Sequence, residues 1–279
     1  MTNRRIAVAL AIGCALAFPL SATACKGINS VPAAVMDARF LVFAEVHGTR
    51  EVPGFVSAYL CTAVKRKRAV TLVVEYPASG QAALDAFMAS GGTAQDVANF
   101  KGSKFWSRRM QDGRTSIAML QLYDNIRDLR GKGGDIRVVA IDGDVPQEKR
   151  DSVMAAGMRT ELLGTRGQLL ALVGGPHAIR TKGKRGNLAY ESAIFRVADL
   201  NPLVLTVGTA GGTAWICQAD TPTACHAADW DVNTVEPVPV TPFLLKAPSP
   251  EFDGVFYVGA TTASPPAMTA AIEDQAPGK

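Results

Sequence analysis

Two acids and two histidines stand where strand-like stretches of this chain give out. Glu45 closes the run Phe40-Leu-Val-Phe-Ala, and His47 follows two positions later. Glu75 closes Val70-Thr-Leu-Val-Val. His177 lies just past Gln168-Leu-Leu-Ala-Leu-Val, in the turn Gly174-Gly-Pro-His. On extended backbone, residues i and i+2 point to the same side, so Glu45 and His47 share one rim. An acid beside an imidazole is equipped to bind a metal or to act as a coupled acid–base pair. Gly48 lets a ligand or another backbone segment come close. Glu75 ends a run that should be buried, and a carboxylate there needs a cation, a metal or a proton. Arg50 is a candidate for that cation, or for holding an anionic substrate group. Plainer alternatives stay open for each: charges on a surface turn, a structural salt bridge at Glu75, a loop histidine that caps a backbone group. The chain holds three histidines, and the third, His226, reads as a surface residue beside Cys225.

The elements that must hold these residues follow from the apolar pattern. Two further runs, Ile136-Arg-Val-Val-Ala-Ile and Leu203-Val-Leu-Thr-Val, join the three above. Nearly continuous β-branched and apolar runs fit strands buried on both faces. Between them lie helical stretches: Pro53 to Arg68, Gly80 to Ser90, Thr115 to Arg130 and Gln147 to Leu163. Strand alternating with helix at this spacing gives parallel βαβ units. The expected fold is therefore a single α/β domain, residues 25–279, with a central mainly parallel sheet flanked by helices. Short strands at Ala214 to Cys217 and Phe256 to Val258, among proline-rich turns, predict an antiparallel extension near the C-terminus. In open α/β sheets, ligands bind beyond the carboxyl ends of the strands, where Glu45, Glu75 and His177 fall. Asp142 and Asp144 end the third run and either join the site or cap the following helix. Trp106 either walls a pocket or fills the core.

The rest of the composition limits function. Arg4-Arg5, an apolar stretch to Leu20 and the small residues Ser21 to Ala24 form a secretory signal pattern over residues 1–24. These residues carry two arginines and no acid, which leaves 27 basic and 25 acidic side chains beyond them. So even a balance does not suit a nucleic-acid partner. The dense run Lys65-Arg66-Lys67-Arg68 fits a helix C-terminus, where cations complement the dipole. Cys25, Cys61, Cys217 and Cys225 remain after the signal, an even set suited to two disulfides in an oxidising compartment. The expected pairs are Cys217 with Cys225 across a turn-rich segment, and Cys25 with Cys61. Free release to the periplasm or exterior is expected. Lipid attachment at Cys25 is the alternative and the sole membrane link foreseen. No G-x-S-x-G turn, P-loop or dinucleotide fingerprint occurs.

Taken in order, several strings carry a family likeness. Phe43-Ala-Glu-Val-His-Gly-Thr-Arg-Glu-Val-Pro is the first. Val74-Glu75-Tyr76-Pro77, Ile141-Asp142-Gly143-Asp144, Arg150-Asp151 with Met154-Ala155, and Val173-Gly174-Gly175-Pro176-His177-Ala178 follow. The set resembles the superfamily that joins erythromycin esterase-like proteins, ChaN-like haem/iron lipoproteins and TIKI/TraB-type metalloproteases. That resemblance implies a site of Glu45, His47, Glu75 and His177, supported by Arg50. It implies a hydrolase of esterase or metallopeptidase type acting on a small-molecule or peptide substrate. Water would be activated by a carboxylate or His47, with a divalent metal (manganese, cobalt or zinc) on Glu45, His47, Glu75 and His177, or with none. The alternative it implies is haem or iron binding through His47, His177 or Tyr76. An inactive relative that binds a partner in the cleft is the third. Acids outnumber histidines at the rim, which suits water activation better than haem.

Overall fold

The computed structural model describes residues 25–185, 188–219, 221, 224–231 and 233–268. Residues 1–24, expected to form a signal, and the tail from about Glu273 lie outside the described residues. The elements run α1 (Ala33–Met36), β1 (Phe40–Glu45), α2 (Glu51–Lys65), β2 (Val70–Pro77), α3 (Gln81–Ala89) and α4 (Ala94–Lys101). Then come α5 (Ile117–Gly131), β3 (Ile136–Asp142), α6 (Gln147–Gly164), β4 (Gln168–Gly174), β5 (Gly183–Arg185) and β6 (Leu188–Tyr190). The chain closes with β7 (Leu203–Gly208), β8 (Thr213–Cys217), β9 (Cys225–Asp229), β10 (Phe243–Leu244) and β11 (Gly254–Tyr257).

A seven-stranded sheet of order β10-β11-β7-β1-β4-β2-β3 forms the middle layer. All its pairings are parallel except β10 with β11. The expected α/β architecture and the antiparallel strand pair near the C-terminus are both present. β8 and β9 pair with each other as a separate hairpin instead of joining the sheet. The central strands are buried along their whole length, which explains their unbroken apolar runs. Alternate residues of β1 feed two cores. Leu41 and Phe43 pack on the side of α2 and α5 with Tyr59, Trp106 and Tyr123. Phe40, Val42 and Ala44 pack on the side of α6 with Met154 and Met158.

Local chemistry sets the element ends. α2 starts at Glu51, two residues before Pro53. First-turn N–H groups have no partner in the helix, so a proline there costs no hydrogen bond. α4 was not legible as a helix from apolar spacing, yet it carries a full capping box between Thr93 and Asp96. Trp106 is fully buried among Phe100 and Tyr123, so its place is the core.

Both expected disulfides form, Cys25–Cys61 and Cys217–Cys225. They suit a protein of an extracellular or periplasmic setting. Among the described residues no helix is long and apolar enough to cross a membrane. The Cys25–Cys61 bridge ties the start of the domain to α2 across 36 positions. Replacing both cysteines by alanine should lower the unfolding free energy by about 3 kcal/mol, read from urea denaturation of the oxidised wild type and the variant.

Candidate functional site

Four parallel strands deliver polar groups to one edge. β1 ends on Glu45, β2 carries Glu75 near its end, β3 ends on Asp142, and β4 runs through Gly174 into the short turn that holds His177. The β2–β3 register slips between Val74 and Pro77. Glu75 sits inside that irregularity, and such bulges re-aim side chains.

Glu75 is the centre of the site. It is 7% exposed, and four donors meet its two oxygens. Oε1 accepts from Arg114 Nη1 at 3.0 Å and from Arg150 Nη2 at 2.7 Å. Oε2 accepts from His47 Nε2 at 3.1 Å and from the Gly174 N–H at 3.0 Å. Burial works against the carboxylate, but the charges of His47, Arg114 and His177 and the His47 hydrogen bond hold its pKa well below the usual value. Gly174 allows this closeness. A Cβ there would lie 2.9 Å from His47 Nε2 and 3.2 Å from Glu75 Oε2.

His47 lies between two acids. Its Nδ1 reaches Glu45 Oε1 at 3.0 Å, opposite the Nε2 bond to Glu75. Carboxylates only accept, so both ring nitrogens donate and the ring is an imidazolium. Burial lowers its pKa, but the charges of Glu75 and Glu45 and their hydrogen bonds prevail and raise it to about 10.

His177 is held differently. Nδ1 donates to Asp151 Oδ1 at 2.8 Å, while Nε2 faces the cleft, 3.7 Å from Glu75 Oε1. Asp151 is fixed in turn by the Tyr190 hydroxyl at 2.9 Å and the Ala193 N–H at 2.7 Å. Burial opposes its ionisation, yet the hydrogen bonds and charge of His177, Tyr190 and Ala193 lower its pKa. With Nδ1 donating to Asp151, the second ring nitrogen, Nε2, is left toward the cleft.

Two arginines complete the cluster. Arg114 spans Glu75, Asp142 at 3.2 Å and Asp112 at 2.7 Å. Arg150 bridges Glu75 and Asp142, the latter at 2.6 Å. Asp142 is thus a clamp for guanidinium groups; the N-cap of α6 is Pro146, without a side-chain cap. Asp112 has a pKa near 2, because Arg114 and Arg108 outweigh its burial.

The structure brings together Glu45, His47, Glu75 and His177. It does not bring Arg50, which is exposed at the start of α2. The cation expected from Arg50 is supplied by Arg114 and Arg150. Tyr76 does not reach the cleft: it is buried in the aromatic core, its ring 4.4 Å from that of Phe105. Successive strand residues face opposite ways, so Glu75 at the rim sends Tyr76 inward. His226 is exposed on β9, and Asp144 is exposed and bonded to Ser79.

A cleft of about 740 Å³ opens over Glu45, His47, Glu75 and His177. Trp215 and Ile216 of the β8–β9 hairpin, with Trp230 beyond it, wall the cleft opposite the charged cluster. The Trp215 indole N–H donates to the Gln111 carbonyl at 2.9 Å.

The residues present do not fit a divalent metal. The Glu75 oxygens are filled by four donors, two of them cationic, and both His47 nitrogens carry protons aimed at acids. Among the described residues no group of three or more His, Cys, Asp or Glu is arranged to hold a metal ion. Haem fits poorly for the same reason, since His177 alone offers an imidazole nitrogen to the cleft and Tyr76 faces the core.

No family model matches the chain, and no curated protein matches it either. Solved structures share its fold. An erythromycin esterase, EreC, in its open conformation superposes with a TM-score of 0.58 at 11% identity, over 82% of this chain and 92% of that one. A Bacillus cereus protein gives 0.57 at 11% identity, over 84% and 91%. ChaN of Campylobacter jejuni, described with cofacial haem binding, gives 0.38 at 11% identity, over 62% and 82%, a score with no weight for or against haem here. The first two likenesses show the fold.

Two outcomes follow from the charge cluster. Glu75→Gln should leave two guanidinium groups under-compensated and destabilise the fold by about 3–5 kcal/mol in urea unfolding. His47, with its pKa raised in the fold, adds stability that is complete below about pH 6.5 and fades as pH rises through about 10. The stability gap between wild type and His47→Gln should therefore shrink across that window, measured by urea unfolding at pH 6, 8 and 10.

Proposed function

We propose that the protein is an exported hydrolase of esterase type that acts on a small-molecule ester and activates water with its own side chains. The observation that supports this most is the Asp151–His177 pair, whose open Nε2 faces the cleft beside three fixed cations. An acid behind an imidazole, presenting one basic nitrogen, is the arrangement of a general base.

The two histidines divide the work. His177 Nε2 takes a proton from water as the oxygen attacks the ester carbonyl. The tetrahedral intermediate carries its new negative charge beside imidazolium His47 and the guanidinium groups of Arg114 and Arg150. Pre-set positive charge in a part-buried cleft stabilises such an oxyanion without reorganisation. As the intermediate collapses, protonated His177 returns its proton to the leaving alkoxide, which gives an acid and an alcohol. Glu75 is not the base, because its acceptor sites are filled; it holds the cations in place. Glu45 holds His47 charged. The sequence left the base between His47 and a carboxylate. The hydrogen bonds favour His177 for that role and His47 as the electrophilic partner. Trp215 and Trp230 offer flat apolar surface to the substrate body. The common fold with an erythromycin esterase agrees with this chemistry.

A panel of aryl and alkyl esters assayed with the mature protein tests the proposal. His177→Ala should lower kcat by about 100-fold or more, and Asp151→Asn nearly as much, with rates compared at a temperature where thermal melts show both variants folded. Added EDTA should leave the rate unchanged. Full turnover in His177→Ala, or loss of activity to chelator, would refute the proposal.

A further inference from the structure

A second cavity of about 1140 Å³ lies against the cleft and shares Arg114, Arg150 and Gln147 with it. Its wall is apolar in part, with Ala83, Phe105, Val145 and Pro146. Its charge is one-sided: Lys104, Arg108, Arg109, Arg114 and Arg150 face Asp142 and Asp144. Three of these cations are committed within the protein. Arg114 and Arg150 hold Glu75 and Asp142, and Arg108 pairs with Asp112 at 2.5 Å while lying 3.8 Å over the Phe105 ring. Lys104 and Arg109 differ. Both are exposed at the cavity, and neither makes an ion pair or side-chain hydrogen bond among the described residues. The opposing acid, Asp144, is engaged by the Ser79 hydroxyl.

We propose that this cavity is a recognition subsite for an anionic group carried on an apolar part of the substrate, with Lys104 and Arg109 as the residues that select it. The proposal rests on the hydrolytic function of the adjoining cleft for the word substrate. Two free cations beside an apolar wall favour a carboxylate, sulfonate or phosphate whose body packs on Ala83, Val145 and Pro146. Such a group would lie one arginine pair away from His177, so the ester bond to be cut joins an acidic portion in the cavity to an apolar portion near Trp215.

The first arm of the test needs no turnover. Mature protein is titrated calorimetrically with 2-naphthalenesulfonate and with neutral 2-naphthalenemethanol. The sulfonate should bind more tightly, with an affinity that falls as salt rises. The Lys104→Ala/Arg109→Ala double variant should weaken the sulfonate roughly three- to tenfold and leave the neutral probe unchanged. Equal affinity for the two probes, or a double variant that binds sulfonate as wild type does, would overturn the subsite. The second arm compares a hemisuccinate ester, free acid at one end, with its methyl-capped form. The double variant should raise KM for the acid alone, with kcat held. An equal effect on both esters would overturn the link to substrate. Failure to cut any ester would instead strike the hydrolytic function, while the titration still decides the subsite.

Discussion

The site depends on a single carboxylate that cannot be left alone. Glu75 is buried at a bulge near the end of β2, where an unpaired charge would be costly. Its four donors come from four parts of the chain: the loop before α5, helix α6, the turn after β1 and the end of β4. Satisfying one oxygen pair therefore fixes the relative positions of three sheet strands, a helix and a loop. The same demand explains a backbone detail, since Gly174 must lack a side chain for His47 to reach Glu75.

That constraint separates two histidines that look alike in the sequence. His47 is hydrogen-bonded to an acid at each ring nitrogen and stays charged, while His177 is hydrogen-bonded to one acid, Asp151, with Nε2 left toward the cleft 3.7 Å from Glu75. Chemistry that moves a proton needs a nitrogen left free of its acid partner and turned toward the substrate. Chemistry that stabilises an oxyanion needs a charge that stays. The cleft provides one of each within a common hydrogen-bonded cluster.

Much of this arrangement was legible because parallel strands buried on both faces write continuous apolar runs, and their ends are then marked by the first ionisable residue. Glu45, Glu75, Asp142 and His177 were found in that way. Arg114 was not, because it sits on a short turn placed by backbone contact between Gly113 and Gly48, and no periodicity reports such a contact. Arg50 misled through its nearness in sequence to His47; the start of α2 turns it to solvent. Asp151 left a signal that spacing could have caught. It occupies the buried stripe of α6 with Met154, Ala155, Met158 and Leu162, an acid in an apolar series. Lys104 and Arg109 left none, since exposed cations are ordinary and only the cavity makes them notable.

The carbonyl of Gly48, just past His47, accepts two backbone bonds, from Trp215 at 2.9 Å and from Ser264 at 2.7 Å. Both partners lie far along the chain. A polypeptide that emerges or crosses a membrane from its N-terminus must therefore present the Glu45–His47 turn long before its partners exist. The first strand waits for the last segments, so contact order is high and closure comes late. The charge cluster at the strand ends is thus a product of complete folding, and a truncated chain carries its residues without their arrangement.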